Sequence, residues 1–467
     1  MKRKVLLINP SSARAMYAKS KIRAGIAEIP LLSLAIIAAP LLKRGHEVKI
    51  LDLSISRNPY NELVNVLNLF KPDFAGITFT SPLFKEAIEI SRIIKEQDKN
   101  IKVVAGGVHS TLMPEEVARE KNFDIVVVGE GEIILSELVD YYDRVETIKG
   151  IAFIRDEQFV FTGARPHITD IDELPLPSWH LYDLTRYKTP RLSSRKNPVG
   201  PFESSRGCPN QCTYCNKGMF GNRLRLKSVN RVVDEMEYML ECGFREIHIW
   251  EDNFSANLKR AKEICREIIR RRLRFPWNIF AGLRVDRVDK ELFELLKEAG
   301  CYGVGLAAES GNQELLDRIK KRITLDQIRK AFRFAKEAEL ETTGFFMFGL
   351  PGETEETMKN TIDFAIELNP TYAKVTILVP FPKTAIFEEW DKLGIIKTKD
   401  WAKYNFHSAN VIYDHPNLDW DILKKYYDFF YRKFYFRPSY VTTRIKNGLL
   451  NGNILYDFYY FLKTWIR

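Results

Sequence analysis

Residues 200–215, GPFESSRGCPNQCTYC, join a strand-length segment to a loop that carries three cysteines. The segment GPFESSRG predicts a strand, and Cys208, Cys212 and Cys215 follow it within eight positions. Three thiols so close together do not make a useful set of disulfides. In a reducing compartment, clustered cysteines indicate a metal site or redox chemistry. The stretch therefore predicts a strand whose carboxyl end carries a thiol-rich centre.

The spacing of these cysteines favours an iron-sulfur cluster over zinc. A Cys-x3-Cys-x2-Cys loop directs three thiolates toward one point. A four-thiolate zinc site uses two Cys-x-x-Cys pairs that are distant in sequence, and this chain has no second pair. A cubane cluster ordinarily takes four thiolates, so three of them leave one iron open to a substrate or cofactor. Zinc and a chance arrangement of cysteines are the alternatives.

The composition is that of a globular protein with two or three domains. The chain has 467 residues, of which 45% are apolar and 28% charged. The start MKRKVLLINP lacks the cleavage pattern of a secretory signal, and no apolar stretch reaches membrane-spanning length without interruption. We therefore expect a cytoplasmic location. Cys242, Cys265 and Cys301 stand apart in apolar surroundings, which is typical of buried structural cysteines.

The net charge of +10 fits an anionic ligand, a nucleic acid or an acidic membrane surface. Most of the basic residues are dispersed in Lys/Glu-rich helical segments, however, which is typical of solvated helix faces. Only RRRLR at 270–274 and the C-terminal region are locally basic. We expect no nucleic-acid partner.

The cysteines follow the first strand of a repeating β/α pattern in residues 196–395. Six strand candidates alternate with helix candidates there, namely GPFESSRG, EIHIWEDN, NIFAGLR, GVGLAAESG, TTGFFMFGLPG and YAKVTILVPFP. Six units are too few for an eight-unit barrel, so we predict an open, partial (β/α)6 barrel. The chemistry of such barrels lies at the carboxyl ends of the strands. The thiol-rich loop lies at that edge.

Residues 1–145 carry an earlier β/α alternation with continuous apolar strands. The strand candidates are KVLLINP, EVKILDLS, DFAGITFT, KVVAGG and DIVVVGEGE. Such strands between helices predict a parallel sheet covered on both faces, as in doubly wound, flavodoxin-like (Rossmann-type) α/β domains. Residues 146–195 break this rhythm: two short strand candidates, GIAFIRD and QFVFTG, come before a segment with two prolines. We predict a linker there, packed by Trp179, Tyr182 and Tyr187.

The strands of the first array end in small and polar residues. These ends are Asn9-Pro10-Ser11-Ser12, Thr80-Ser81-Pro82, Gly106-Gly107-Val108-His109 and Gly129-Glu130-Gly131-Glu132. Glycine permits close backbone approach, and small hydroxyl residues supply hydrogen bonds without filling space. Four such loops at one edge predict a floor for a large flat or nucleotide-like ligand. The alternative is that the glycines only make tight turns.

Residues 396–467 are rich in aromatic and basic residues and are predicted to be helical. Three interpretations stay open for them: a helical cap whose aromatics pack on the barrel, a lining for a substrate pocket, or contact with a membrane surface. The second predicts a bulky, apolar substrate.

The stretch CPNQCTYC, with Tyr214 before its last cysteine, resembles the CxxxCxΦC motif of the radical S-adenosylmethionine (SAM) enzymes. The six β/α units match the partial barrel of that family. The resemblance implies that Cys208, Cys212 and Cys215 hold a [4Fe-4S] cluster whose open iron is chelated by SAM.

Four more stretches resemble elements of the same family: WEDNF (250–254), AGLRVD (281–286), GLAAESG (305–311) and FFMFGLPGETEET (345–357). VPFPKT (379–384) stands where the family often has a PFPGT-like sequence, with Lys383 in place of glycine. The SAM contacts that this resemblance implies are Tyr214, Glu251, Asp252, Arg284, Glu309, Ser310, Met347 and Gly349.

GGVHSTLMPEE (106–116), followed by VVVGEGE (126–132), resembles the cobalamin-binding domain of the B12-binding radical SAM subfamily. The implied cobalamin contacts are Asn9, Ser11, Ser12, Thr80, Ser81, Gly106, Gly107, His109, Gly129 and Glu130. The DxHxxG segment that gives B12 mutases a histidine ligand to cobalt is absent, because the loop after the first strand is NPSSARAM. We therefore expect no histidine bound to cobalt. A retained fold that has lost cobalamin stays an alternative.

The resemblance implies an enzyme that reductively cleaves SAM at the cluster to a 5'-deoxyadenosyl radical. Its most favoured outcome is C-methylation of an unactivated carbon with methylcobalamin. It implies a small-molecule substrate and an electron donor such as flavodoxin or ferredoxin.

Three other functions are open on the sequence. A non-methylating cyclisation or rearrangement, as in the anaerobic porphyrin cyclase, shares the same domain order. A tRNA methylthiotransferase is disfavoured, because its N-terminal domain normally carries three more cysteines and residues 1–207 contain none. A non-catalytic binding module is disfavoured by the intact cysteine triad.

Overall fold

The computed structural model describes residues 2–11, 27–405, 411–450 and 455. Seven strands form its first sheet: β1 (Lys4–Asn9), β2 (Glu47–Asp52), β3 (Phe74–Thr78), β4 (Lys102–Gly106), β5 (Ile125–Val127), β6 (Ile151–Arg155) and β7 (Gln158–Phe161). Their order is β2-β1-β3-β4-β5-β6-β7. The first five pair in parallel, as predicted, in the flavodoxin-like order.

The first sheet is covered by helices on its faces. They are α1 (Leu32–Lys43), α2 (Pro59–Phe70), α3 (Phe84–Gln97), α4 (Val108–Leu112), α5 (Pro114–Ala118) and α6 (Gly131–Asp140). The strands are buried almost throughout: Val5, Leu6 and Ile8 are fully inaccessible to solvent. Burial on both faces explains why these strands are continuous apolar runs and not alternating ones.

The first sheet extends beyond the expected boundary at residue 145. Strand β6 pairs antiparallel with β5, and β7 pairs antiparallel with β6. Both strands lie in the segment 146–195 that the sequence marks as a linker. Trp179, Tyr182 and Tyr187 further along that segment are buried, as predicted. The domain limits 1–145, 146–195, 196–395 and 396–467 stay predictions.

Eight strands lie in the described residues of the second part of the chain. They are β8 (Val199–Phe202), β9 (Ser205–Arg206), β10 (Arg225–Leu226), β11 (Glu246–Trp250), β12 (Trp277–Leu283), β13 (Cys301–Glu309), β14 (Glu341–Phe348) and β15 (Tyr372–Ile377). Six of them form a parallel sheet in chain order, β8-β11-β12-β13-β14-β15, and β9 and β10 form a short antiparallel ladder. This is the predicted open array of six β/α units.

Seven helices connect or follow these strands: α7 (Val229–Glu241), α8 (Leu258–Arg270), α9 (Lys290–Glu298), α10 (Gln313–Arg318), α11 (Leu325–Glu337), α12 (Glu355–Leu368) and α13 (Ala385–Lys392). Side chains fix where several of them begin. Thr324 and Gln327 form a reciprocal capping box on α11, and Thr354 and Thr357 form one on α12. Each cap ends a loop at the carboxyl edge and so sets the length of that loop.

The described part of the C-terminal region forms α14 (Trp420–Tyr435) and α15 (Pro438–Leu450). Helix α14 covers the edge strand β15. The hydroxyl of Tyr431 donates to the carbonyl of Val375, and that of Tyr435 donates to the carbonyl of Ala373. Because an uncovered edge strand invites pairing with other chains, these tyrosines close it. The aromatic residues of α14 thus support the interpretation as a helical cap.

Candidate active site

The carboxyl edge of the first sheet opens into a cavity of about 550 Å³ that reaches the cysteine loop. Six residues predicted as cobalamin contacts line it, namely Asn9, Thr80, Gly106, Gly107, Gly129 and Glu130. Ser11 and Ser81 are buried and are not among the lining residues. Ser12 lies outside the described residues. Asn9 is held by its amide, which donates to Asp52 Oδ1 at 2.8 Å.

Gly107 is required by the shape of this edge. Its φ is +93°, a backbone conformation that strongly favours glycine. A Cβ atom there would lie 2.7 Å from Thr78 Oγ1 and 2.9 Å from the backbone N and O of Phe79. The Thr111 hydroxyl donates to the Gly107 carbonyl and accepts a hydrogen bond from the Gly129 amide. Thr111, which the sequence did not single out, therefore locks the loops after β4 and β5 together.

His109, predicted as a cobalamin contact, is not among the residues that line the cavity. Its side chain is fully buried, with its ring 4.6 Å from that of Phe84 and 5.7 Å from that of Trp401. Ser81 Oγ lies 3.0 Å from its Nδ1. Burial lowers the pKa of His109 to about 4, so the imidazole is neutral at pH 7. The helical turn of α4 after Gly107 directs this ring into the protein.

Two cysteines of the loop, Cys208 and Cys215, line the same cavity from the side of the barrel. The loop is held at both ends by other carboxyl-edge segments. The Gly207 amide donates to Asp252 Oδ2 at 2.9 Å, and the Thr213 amide donates to the Ile319 carbonyl at 3.0 Å. The loop is therefore anchored by hydrogen bonds that its own backbone amides donate.

The three thiols influence one another electrostatically. The Cys215 side chain is accessible from the cavity, yet the protein around it raises the pKa of its thiol to about 11. The neighbouring Cys212, Asp252 and Cys208 raise that pKa further, and Lys217 opposes them. Arg284 Nη1 lies 4.0 Å from Cys212 Sγ. A positively charged metal centre would oppose this rise in the pKa of the thiol and favour the thiolate form.

Three thiols are the donor set that an iron-sulfur cluster with one open iron takes. Within the described residues, no three His, Cys, Asp or Glu side chains are placed to hold one metal ion, as a zinc site requires. A cubane binds each thiolate through a different iron, so its ligands do not converge on one atom. Three thiols on a rigid loop are compatible with that larger group.

A charged triad lies beside the cysteine loop. The Tyr214 hydroxyl donates to Glu309 Oε1 at 2.9 Å, and Lys321 Nζ donates to the same oxygen at 2.7 Å. Glu309 is the last residue of β13, is buried and has a φ of +61°. Such a conformation is strained for a residue other than glycine and is found preferentially at functional sites. Sequence reasoning did not identify Lys321, because it lies in the basic run KKR (320–322), a pattern typical of solvent-exposed residues.

Arg284 follows β12 and connects this triad to the loop. Its Nη2 donates to the Lys321 carbonyl at 2.8 Å, and its Nε donates to Asp286 Oδ1 at 2.9 Å. The cysteine loop, Arg284 and the triad of Tyr214, Glu309 and Lys321 are thus brought together at the carboxyl ends of β12 and β13.

The other predicted SAM contacts are divided between the cavity and the scaffold. Asp252 lines the cavity, whereas Glu251 accepts hydrogen bonds from Ser204 and Ser205. Burial raises the pKa of both carboxyl groups. Ser310 is buried, with its Oγ 3.2 Å from Thr361 Oγ1. The contacts of Glu251 and Ser310 serve the scaffold.

Met347, Gly349 and Lys383 lie on β14 or in the loops that follow β14 and β15, and the last two have a left-handed backbone. Met347 is half-buried on β14, and Gly349 has a φ of +77°; a Cβ on Gly349 would lie 3.1 Å from the Tyr413 hydroxyl. Lys383, which stands where the family often has glycine, has a φ of +62°. The substitution therefore leaves the left-handed backbone of that loop in place.

A buried ion cluster joins the edge of the first sheet to the β9–β10 ladder next to the cavity. Arg206 contacts the carboxylates of Glu130, Glu132 and Glu203 at 2.7–2.8 Å, and Arg225 also contacts Glu130. Burial opposes ionisation of Glu130, but the two guanidiniums outweigh it and lower its pKa. Both oxygens of Glu130 are thus engaged by protein groups. The cluster fixes the distance between the first sheet and the cysteine loop.

No helix in the described part of the chain is both long and apolar enough to cross a bilayer.

Comparison with known proteins agrees with this geometry. Residues 202–365 match the radical SAM superfamily, and residues 27–139 match the B12 binding domain. An uncharacterised methyltransferase of Pyrococcus horikoshii is 33% identical over 88% of both chains. The anaerobic magnesium-protoporphyrin IX monomethyl ester cyclase of Cereibacter sphaeroides is 30% identical over 84% of this chain and 66% of its own length.

A solved structure has the same architecture. The radical SAM methyltransferase TsrM from Kitasatospora setae, with cobalamin and a [4Fe-4S] cluster bound, superposes with a TM-score of 0.69 at 25% identity. The match covers 84% of this chain and 78% of that one. With its cysteine loop and its glycine-rich edge facing one cavity, the chain belongs to the B12-binding radical SAM family, whose cofactors are a [4Fe-4S] cluster, SAM and cobalamin.

Proposed function

We propose that this enzyme is a methyltransferase that transfers a methyl group to an unactivated carbon of a small molecule. The observation that carries the proposal is the single cavity, which is lined both by the glycine-rich edge of the first sheet and by Cys208 and Cys215. A methyl donor and a radical generator must act on the same carbon. A shared cavity supports such a joint reaction.

The bound cofactors supply the difficult chemistry: one-electron cleavage of SAM at the cluster, and methyl transfer from cobalamin. The protein positions and shields them. Cys208, Cys212 and Cys215 would hold the cluster. The Glu309 carboxylate, whose Oε1 accepts hydrogen bonds from Tyr214 and Lys321, would accept further hydrogen bonds from SAM. Arg284, 4.0 Å from Cys212 Sγ, supplies positive charge beside the cluster.

Apolar side chains in the walls of the cavity would limit the access of water to the bound cofactors. Leu31, Ile37, Met219 and Phe220 are among its lining residues, and most of its lining is apolar. A dry site protects a reactive intermediate from side reactions. The cluster requires an external electron donor, and a flavodoxin or ferredoxin would serve.

The test is anaerobic reconstitution with iron, sulfide and hydroxocobalamin, followed by reduction in the presence of SAM labelled with ¹³C in its methyl group. We expect cluster absorbance, formation of 5'-deoxyadenosine and S-adenosylhomocysteine, and ¹³C in a product formed from a metabolite extract. Cys212→Ala should abolish all three. Cys242→Ala is the matched control, because Cys242 lies outside the loop at the end of α7, and it should retain them.

A product without ¹³C would contradict methyl transfer and favour a ring-closing reaction, such as the one named for the Cereibacter sphaeroides relative. If Cys212→Ala retained SAM cleavage, the proposed role of the cysteine loop would be wrong.

A further inference from the structure

The inner wall of the barrel carries a second group of side chains, separate from the cofactor edge. Register places Phe345 of β14 opposite Ala307 of β13 and Lys374 of β15. Because paired residues point to the same face of a sheet, these three side chains share one face. Lys374 Nζ lies 4.7 Å from the ring centroid of Phe280, on β12. A flat sheet would separate those strands by about 14 Å, so the contact spans the concave face.

Three aromatic rings form a continuous surface on this inner wall. The Phe280 and Phe345 rings meet edge to face at 5.7 Å, and the Trp250 ring lies 6.5 Å from Phe280. Trp250 is 45% exposed and Phe280 and Phe345 are half-buried, so none of them is sealed in the core. Large aromatic residues that stay accessible inside a concave site are typical of ligand binding.

Small residues on β13 keep room in front of these rings. Gly303 and Gly305 alternate with core residues on that strand, and Ala307 follows them on the same face. A Cβ atom on Gly305 would lie 2.8 Å from Cε2 of Phe345 and 2.1 Å from the Phe280 carbonyl oxygen. Gly305 therefore allows Phe280 and Phe345 to approach each other across the middle strand.

Lys374 carries a charge that no described residue compensates. It forms no hydrogen bond or ion pair within the described part of the chain, and its contact there is with the Phe280 ring. Its side chain reaches solvent in the open centre of the barrel, while the surrounding protein lowers its pKa. The nearest carboxylate on the same face of β14, Glu341, is paired with Arg195. An accessible ammonium that the surrounding protein partly desolvates, and that no described side chain pairs, is placed to bind an anionic group from outside the fold.

We propose that Lys374, with the rings of Trp250, Phe280 and Phe345, binds the substrate, which carries an anionic group beside a flat, apolar body. The anion, a carboxylate or a phosphate, pairs with the Lys374 ammonium. The apolar body lies on the three rings. This inference rests on the proposed function, because it assumes that the centre of the barrel holds the substrate.

The first test measures binding and needs no turnover. Equilibrium dialysis of the reconstituted holoenzyme would compare 1-naphthoate and 1-naphthyl phosphate with neutral 1-naphthamide. We expect at least one anion to bind about tenfold more tightly than the amide, since a hydrogen bond between two charged groups is stronger than one to a neutral group. The tighter of the two anions identifies the preferred headgroup. Equal affinity for all three probes would overturn the proposal.

Variants assign the preference to this lysine. Lys374→Met should abolish the preference, and Lys374→Arg should keep it. Lys433→Met is the matched control, because Lys433 also lies over a ring, that of Phe429 at 6.0 Å, but on the outside of α14. It should bind like wild type. A preference that survives in Lys374→Met would contradict the proposal, whereas unchanged SAM binding in that variant shows that the cofactor edge is intact.

A second test uses the wild-type protein alone, so it stands even if Lys374→Met does not fold. Pyridoxal 5'-phosphate, a flat ring with an aldehyde and a phosphate, would be added and the adduct reduced with borohydride. We expect modification of Lys374 that 1-naphthoate or 1-naphthyl phosphate prevents. Peptide mapping without that modification would overturn the proposed site. The proposed methyl transfer is not involved in either readout, so its failure would be separately visible.

Discussion

The carboxyl edges of the two sheets face the same cavity and are built from opposite kinds of residue. The edge of the first sheet is rich in glycine and small polar residues, and its Glu130 carboxylate is paired with Arg206 and Arg225. Its buried histidine, His109, is neutral and turned away. The edge of the second sheet carries thiols and a triad of ionisable side chains, Tyr214, Glu309 and Lys321. Parallel strands alone therefore do not determine what such an edge binds.

The residue types at each edge suit a different kind of ligand. A large planar cofactor needs close backbone approach and room, which glycine supplies. A small zwitterion such as SAM needs fixed charges, which the second edge supplies. The ion cluster around Arg206 holds the two edges at a set distance.

Removal of the Arg206 side chain should have the largest effect, because the ion cluster around it holds the two edges at a set distance. Arg206→Met leaves Glu130, Glu132 and Glu203 buried with less compensation, which should lower the free energy of unfolding by about 3–5 kcal/mol. We also expect loss of cobalamin during gel filtration. Denaturant titration measures the first effect and absorbance the second. Arg155→Met, which removes an exposed pair with Glu146, should cost less than about 1 kcal/mol. Equal losses in the two variants would refute the bridging role.

A substitution at Gly107 should disrupt the glycine-rich edge of the first sheet without disturbing the cysteine loop. Gly107→Val combines a left-handed conformation with overlap against Thr78 and Phe79, and it should lower stability by about 3 kcal/mol. Cobalamin content should fall, whereas iron content per chain should not. Gly45→Val tests the backbone strain alone, because Gly45 has a φ of +84° and a Cβ atom there would meet no other atom within 4 Å. Retention of cobalamin by Gly107→Val would contradict the account.

The neutrality of His109 predicts a dependence of stability on pH. Its pKa is about 4 in the folded protein and about 6.5 in the unfolded chain, so acid favours the unfolded state. Its contribution is complete above pH 6.5 and declines toward pH 4, with a loss of about 2 kcal/mol at pH 5. The carboxyl group of Glu116, 3.8 Å from His109 Nε2, shares this site.

Denaturant titration at pH 7 and pH 5 measures that loss. His109→Gln should show a decline smaller than wild type by about 2 kcal/mol, because glutamine does not titrate. His180→Gln, at an exposed position, should decline like wild type. An unchanged decline in His109→Gln would show that His109 is not the responsible group.

The charged edge should respond to the loss of one hydroxyl. Tyr214→Phe removes the hydrogen bond to Glu309, and we expect the Kd for SAM to rise about tenfold. Equilibrium dialysis of the reconstituted enzyme measures it. Tyr60→Phe loses a similar bond to Glu86 far from the site and should bind SAM normally. If Tyr214→Phe also bound normally, the triad would not orient SAM.

Much of the fold was predictable from the pattern of apolar residues along the sequence. Continuous apolar strands predicted both parallel sheets, and the fold class is confirmed. Strands β6 and β7 were predicted as short strands but placed in the linker, because their place in the sheet depends on antiparallel pairing of β6 with β5 and of β7 with β6. Such pairing depends on contacts between strands, which the residue pattern within one strand does not show.

The site was predictable where residues lie next to a strand end, and not where distant segments meet. Cys208 and Gly107 are visible as motifs at strand ends. The direction of His109 depends on Trp401, far along the chain, and the partner of Glu309 is a lysine within a basic run. The roles of the individual SAM and cobalamin contacts stay predictions.

The central claim is that the cobalamin and the cluster occupy one cavity. Electron paramagnetic resonance of the anaerobic holoenzyme, with cobalamin in the Co(II) state and the cluster reduced, tests it directly. We predict a cobalt signal broadened by dipolar coupling to the cluster, and a sharp one in Cys208→Ala, which lacks the cluster. A wild-type spectrum equal to the simple sum of two isolated centres would contradict the account.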